Sequence, residues 1–287
     1  MNRKTALKSI AAGTAGFVSL PSIAKAFSML PEDLKGNINH SACRWCYQDI
    51  QLEDLVLAGK KIGLKSIELL GADEWAVVNK HGMTCAMGYG SKIGLNKGFN
   101  DPSLHEQLLN DYKVSIPKAA DAGLKQLICF SGNANGLSAE KGIENCAKGL
   151  EPVVKLAQKH NITISMELLN SKVDHKDYQC DHTAWGVQLC EKLGSENFKL
   201  LYDIYHMQIM EGDVIATIKK NIKYISHFHT GGVPGRHEID DTQELQYPAI
   251  MKAIHDTGFK GFVAQEFIPA KADKIASLKQ AVGICDI

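Results

Sequence analysis

The sequence predicts a single (β/α)8 barrel, an α/β fold of the TIM-barrel type. Three observations carry this: eight short apolar runs, helix-patterned segments between them, and the absence of a linker. The runs fall at 38–43, 65–69, 84–87, 126–130, 163–168, 199–202, 224–228 and 261–266. Between them lie segments with helical spacing, such as 108–122 and 143–159. Gly63, Gly123, Gly194 and Gly258 each close a helix a few residues before the next strand. Eight strands alternating with helices call for a parallel sheet, and eight is the number that closes a barrel. An open doubly wound sheet would want a Gly-rich phosphate turn after its first strand, and no G-x-G-x-x-G follows 38–43.

The chain has 287 residues, enough for one large barrel. Lys+Arg and Asp+Glu both total 32, which gives none of the basic excess of a nucleic-acid binder. A small-molecule partner is expected, with no nucleic acid. Residues 27–287 are assigned to the barrel. Residues 1–26 have another layout: a basic start (Arg3, Lys4, Lys8), a run of apolar and small residues, and Ala24-Lys25-Ala26 as a small-x-small cleavage site. That is the pattern of an export signal, similar to a twin-arginine signal with Lys4 in place of the second arginine. The run is too short for a stable membrane anchor, so an exported, periplasmic protein is expected. Most of the eight cysteines sit in apolar runs and read as buried small hydrophobes. Cys43 and Cys46 form a C-x-x-C with no second pair to complete a zinc site.

Chemistry in such a barrel sits at the C-terminal ends of the strands. Strand five ends in Met166-Glu167-Leu168-Leu169-Asn170 and strand six in Leu201-Tyr202-Asp203-Ile204-Tyr205-His206. Strand seven ends in His227-Phe228-His229-Thr230-Gly231 and strand eight in Ala264-Gln265-Glu266-Phe267. Four successive strands thus deliver Glu167, Asp203, His229 and Glu266 at one height. Burying three carboxylates together costs several kcal/mol each unless a cation compensates. Three oxygen ligands and an imidazole suit one divalent metal, Mg²⁺ or Mn²⁺ first, with Co²⁺ or Zn²⁺ open.

Two stretches carry a resemblance. Leu201-Tyr202-Asp203-Ile204-Tyr205-His206-Met207-Gln208 and Val233-Pro234-Gly235-Arg236-His237-Glu238 resemble signatures of the hydroxypyruvate isomerase family, within the xylose-isomerase-like barrels. The resemblance covers residues 36–287 and is densest from Glu167 to Glu266. It implies that Glu167, Asp203, His229 and Glu266 hold the metal and that Glu167 and Glu266 are the catalytic acid/base pair. The implied activity is an isomerase that moves a carbonyl to the neighbouring carbon by proton transfer through an enediolate. Members named for hydroxypyruvate often carry Gln where this chain has His229. His is usual in the ketose 3-epimerase branch, so the substrate, a small hydroxy-carbonyl compound or a sugar, stays open.

Further candidates line the mouth. His206 lies three residues beyond Asp203 and can bond a substrate oxygen. Arg236 sits in a Pro-Gly turn, and its planar fork suits a carboxylate; a surface pair with Glu238 is the alternative. Glu68, at the end of strand two, and Asn133, after strand four, complete the expected substrate-binding set. His40 and Trp45 flank strand one, and Trp45 is either an apolar wall or core. A ketose 3-epimerase shares this site and mechanism. An abasic-site endonuclease would need more histidines and a basic groove, and a non-catalytic sugar-binding barrel would tolerate loss of a glutamate. A homo-oligomer is compatible with all of these.

Overall fold

The computed structural model describes residues Leu34–Ile287; the proposed export signal at residues 1–26 lies outside them. The strands are β1 (Asn39–Cys43), β2 (Ser66–Glu68), β3 (Gly88–Tyr89), β4 (Gln126–Cys129), β5 (Thr163–Glu167), β6 (Phe198–Asp203), β7 (Ile225–Thr230) and β8 (Phe262–Gln265). They pair in parallel in the order β2-β1-β8-β7-β6-β5-β4-β3. Parallel bridges Ser66–Thr84 and Leu70–Gly88 join β2 to the β3 segment and close the ring. The helices are α1 (Leu52–Ile62), α2 (Trp75–Lys80), α3 (His105–Asp121), α4 (Ala139–Lys159), α5 (Thr183–Leu193), α6 (Ile204–Met210), α7 (Val214–Asn221), α8 (Tyr247–Asp256) and α9 (Lys274–Cys285). None is long and apolar enough to cross a membrane.

Seven of the eight expected strands overlap those observed. The third is displaced: the run 84–87 precedes a two-residue strand, Gly88–Tyr89. The run meets the β2 segment at both ends: Thr84 N donates to Lys65 O (3.1 Å) and Leu69 N to Met87 O (2.7 Å). Between them Ala86 N donates to Ser66 Oγ (2.9 Å) instead of to a backbone carbonyl, which interrupts the ladder.

The helices bury one stripe each. In α1 the buried residues are Leu55, Val56, Gly59 and Ile62, the spacing of one helical face. Its chain then reverses at Gly63 with φ 98°, a left-handed conformation that favours glycine. In α4, Ser138 Oγ accepts from Lys141 N (3.2 Å) as the N-cap, and Cys146, Leu150, Val153 and Ala157 face the sheet side. All eight cysteines are buried and unpaired, as the apolar runs predict.

One irregularity aims the site. Leu200 pairs with Ile225 but Leu201 pairs with His227, so Ser226 is an extra residue in β7. Beyond it, Asp203 lies beside His229 in register. Because side chains alternate along a strand, His227 and His229 then share a face.

Candidate metal centre

The ends of four neighbouring strands meet at one point. Glu167 is the last residue of β5, Asp203 the last of β6 and His229 the next-to-last of β7; Glu266 follows β8. All four are buried. One donor atom from each can be chosen so that all lie within 4.8 Å of one another. The sequence expectation that these residues converge therefore describes the geometry.

The residues divide their oxygens between holding the fold and facing the centre. Asp203 Oδ1 caps α6 by accepting from His206 N (3.1 Å), while Oδ2 has no hydrogen-bond partner. Glu266 is held from both sides: Oε1 accepts from Trp45 Nε1 (2.8 Å) and Oε2 from Arg236 Nη2 (2.6 Å). His229 Nδ1 lies 2.9 Å from Glu266 Oε2 and 3.3 Å from Glu167 Oε1, yet neither contact is aligned as a hydrogen bond.

A divalent cation fits this arrangement. Glu167 Oε1, Asp203 Oδ2 and His229 Nδ1 are buried polar atoms without a hydrogen-bond partner. Such atoms are costly unless something satisfies them. One guanidinium and one imidazole face three carboxylates, so the pocket carries excess negative charge. The donor set has no thiolate, which matches Mg²⁺ or Mn²⁺ better than a structural zinc.

The protein charges already separate the two glutamates. Burial pushes the Glu167 carboxyl up, and the Glu266 charge pushes it further. Burial would raise Glu266 too, but the His229 and Arg236 charges outweigh it and hold Glu266 well below the usual range.

Arg236 is not the surface partner of Glu238. Its guanidinium is mostly buried, 3.5 Å from Asp203 Oδ2 and bonded to Glu266, and it stacks 5.0 Å over Trp45 and 5.4 Å over Tyr205. Its Nε is buried with no partner. Glu238 instead accepts from Ala270 N, Lys271 N and Ser277 Oγ, tying the segment after β8 to the turn after β7.

His206 is fully buried beside the centre. Asn170 Oδ1 accepts from Val173 N and Asp174 N, so its Nδ2 is the donor to His206 Nδ1 (2.6 Å). The ring proton therefore sits on Nε2, which lies 3.7 Å from Asp203 Oδ2 with no hydrogen-bond partner. Burial and the Arg236 charge hold His206 well below its ordinary pKa, so the ring is neutral.

One expected substrate-binding residue, Glu68, stands elsewhere. Glu68 does not line the mouth: it is fully buried behind His229, with Oε1 2.7 Å from His227 Nε2 and 3.0 Å from His229 Nε2. The short strand β2 carries its last side chain inward, toward the face that His227 and His229 share. Burial would push the Glu68 carboxyl up, but the two histidines outweigh it and hold it at about 2. Asn133 makes no hydrogen bond to any of the four converging residues. Its backbone O accepts from Asn100 Nδ2 (2.6 Å) and its N donates to Asn96 O (3.1 Å), which ties down the loop after β4.

Sequence reasoning gave no role to His227 or Asn170 and weighed Cys43 only as half of a C-x-x-C pair. The alternation His227-Phe228-His229 is the signal that would have found the first. Asn170 carries no pattern of its own, and the C-x-x-C of Cys43 does not point to the Glu68–His229 layer. Trp45, read as wall or core, proves to hold Glu266.

Comparison with known proteins agrees with this geometry. Residues 59–282 match the model of the xylose isomerase-like TIM barrel family. The chain is 34% identical over 113 residues to 2-oxo-tetronate isomerase of Cupriavidus necator, a match spanning 39% of this chain and 43% of that protein. It is 27% identical over 224 residues to hydroxypyruvate isomerase of Escherichia coli, spanning 77% and 80%. It is 28% identical over 201 residues to D-psicose 3-epimerase of Ruminiclostridium cellulolyticum, spanning 67% and 66%. The match to the first of these relatives thus spans less than half of that protein's length. Among solved structures, AP endonuclease family 2 from Brucella melitensis superposes with a TM-score of 0.75 at 23% identity, over 84% of this chain and 97% of that one; this likeness is one of fold. Family match, closed parallel barrel and converging strand ends agree: the chain belongs to the xylose isomerase-like TIM barrel family.

Proposed function

We propose that the protein is a divalent-metal-dependent isomerase that moves a carbonyl between neighbouring carbons of hydroxypyruvate or a similar small hydroxy-carbonyl acid. The observation that carries this is the pair Glu167 and Glu266. They come from the non-adjacent strands β5 and β8, are both buried, and stand 3.3 and 2.9 Å from the same imidazole nitrogen. The relatives named hydroxypyruvate isomerase and 2-oxo-tetronate isomerase support the reading.

The reaction conserves composition. One proton leaves the carbon beside the carbonyl and one arrives at the former carbonyl carbon, while a hydroxyl proton moves between the two oxygens. One glutamate takes the carbon-bound proton and the other returns it. A divalent ion held by Glu167, Asp203, His229 and Glu266 would polarise the carbonyl and offset the negative charge that develops on its oxygen. His206 offers its Nε2–H to a substrate oxygen, a donor fixed in orientation by Asn170. Arg236 has an unpartnered Nε to offer a carboxylate, and its ring neighbours Trp45 and Tyr205 fix the plane of the fork.

A second reading, a ketose 3-epimerase, is favoured by His229 at the third ligand position and by the relative named D-psicose 3-epimerase. It uses the same proton couple on a neutral sugar. Arg236→Lys separates the two. Lys keeps the charge but loses the fork, and a charge-assisted hydrogen bond is worth roughly 1.5–3 kcal/mol, about 10- to 150-fold in affinity. Arg236 also holds Glu266, so some loss falls on every substrate, and the ratio between substrates is the readout. With Mn²⁺ added, kcat/KM is measured on hydroxypyruvate and on D-psicose for both proteins. The isomerase reading expects native turnover of hydroxypyruvate and a clearly larger loss on it than on the sugar. Equal losses, with D-psicose the better substrate, would favour the epimerase.

A further inference from the structure

His229 has acidic groups on both sides. Toward the centre, Nδ1 faces Glu266 Oε2 at 2.9 Å and Glu167 Oε1 at 3.3 Å. On the far side, Nε2 faces Glu68 Oε1 at 3.0 Å. To bind a metal the ring must be neutral, and a neutral imidazole has one proton and must choose a side. On Nδ1 the proton would bind the front carboxylates and remove the lone pair a metal needs. On Nε2 it would bind Glu68 and leave Nδ1 bare.

The back layer is built for the second choice. Glu68 is fully buried, and its Oε1 also takes His227 Nε2 at 2.7 Å, with Cys43 Sγ 4.0 Å away. A carboxylate oxygen only accepts, so both imidazoles present an N–H to it. The geometry on the His229 front side agrees: Nδ1 has no aligned hydrogen bond although two carboxylates stand within reach.

We propose that Glu68 is a positioning residue that keeps the His229 proton on Nε2 and reserves the Nδ1 lone pair for the metal, with His227 anchoring the carboxylate. The inference rests on the metal reading above. It also excludes a second ion among Cys43, Glu68 and His229, close enough to form a ligand group, because Nε2 cannot both carry the proton and bind a metal. Partners that orient a ligating histidine typically change metal affinity by 10- to 100-fold.

The test uses the full chain stripped with chelator, in native form and as Glu68→Gln and Glu68→Ala. Calorimetric titration with Mn²⁺ should give one ion per chain, bound about 10- to 100-fold more weakly by both variants. Glu68→Gln keeps the shape and one acceptor, so its thermal midpoint without metal should stay near native, which separates the effect from misfolding. Nitrogen-15 spectra of the histidine rings in the stripped proteins, taken at a pH where the His229 ring is neutral, should show its proton on Nε2 in the native chain and shifted toward Nδ1 in the variants. Native affinity with an unchanged tautomer in Glu68→Gln would overturn the assignment while leaving the metal reading in place. Two Mn²⁺ per native chain would overturn it as well. A native chain that binds no divalent ion would remove both.

Discussion

Glu167→Gln and Glu266→Gln are each expected to reduce isomerase turnover by more than the ~10²–10⁴-fold typical of losing an acid or base alone. Each glutamate serves as ligand and proton carrier together in the proposed reaction, so one substitution removes both roles. The fold should survive. At position 266 an amide oxygen can still accept from Trp45 Nε1, and Glu167 Oε1 has no hydrogen bond to lose. The measurement is kcat with saturating Mn²⁺, alongside the thermal midpoint. Near-native turnover in either variant would contradict the assignment of the pair.

Removing the metal should be as damaging. Exhaustive chelation is expected to bring turnover to background, with recovery on adding Mn²⁺ or Mg²⁺ and one ion per chain by elemental analysis. Stability should fall too. Without the cation, buried Glu167, Asp203 and Glu266 face only Arg236 and His229 as compensating charges. An ion present at 100 times its Kd adds about 2.7 kcal/mol by mass action, a rise readily seen in the melting temperature. Full activity after chelation would exclude a catalytic metal.

The barrel was legible because its strands are buried on both faces and read as unbroken apolar runs. The four converging residues were legible for the related reason that a charged group at the end of such a run is conspicuous. What failed depended on contacts across the ring. The run 84–87 is as apolar as a strand, but Ser66 Oγ captures its backbone at Ala86 and interrupts the ladder. Glu68 ends a strand like the other carboxylates, yet β2 is only three residues long and delivers it behind His229 instead of to the mouth. Arg236 and Glu238 are two residues apart and looked like partners. The turn places Arg236 at φ 58° and sends the two side chains to different neighbours. Trp45 shows the same limit: nothing in its local sequence announces Glu266, 221 positions away.

The central claim is a proton moved between neighbouring carbons by this site, and solvent exchange tests it most directly. The native protein with Mn²⁺ is incubated with hydroxypyruvate in D₂O and followed by NMR. The account predicts deuterium appearing at the carbon beside the carbonyl in step with isomer formation, and neither event in Glu167→Gln or Glu266→Gln. No isomer and no exchange with the native, metal-loaded protein would contradict it.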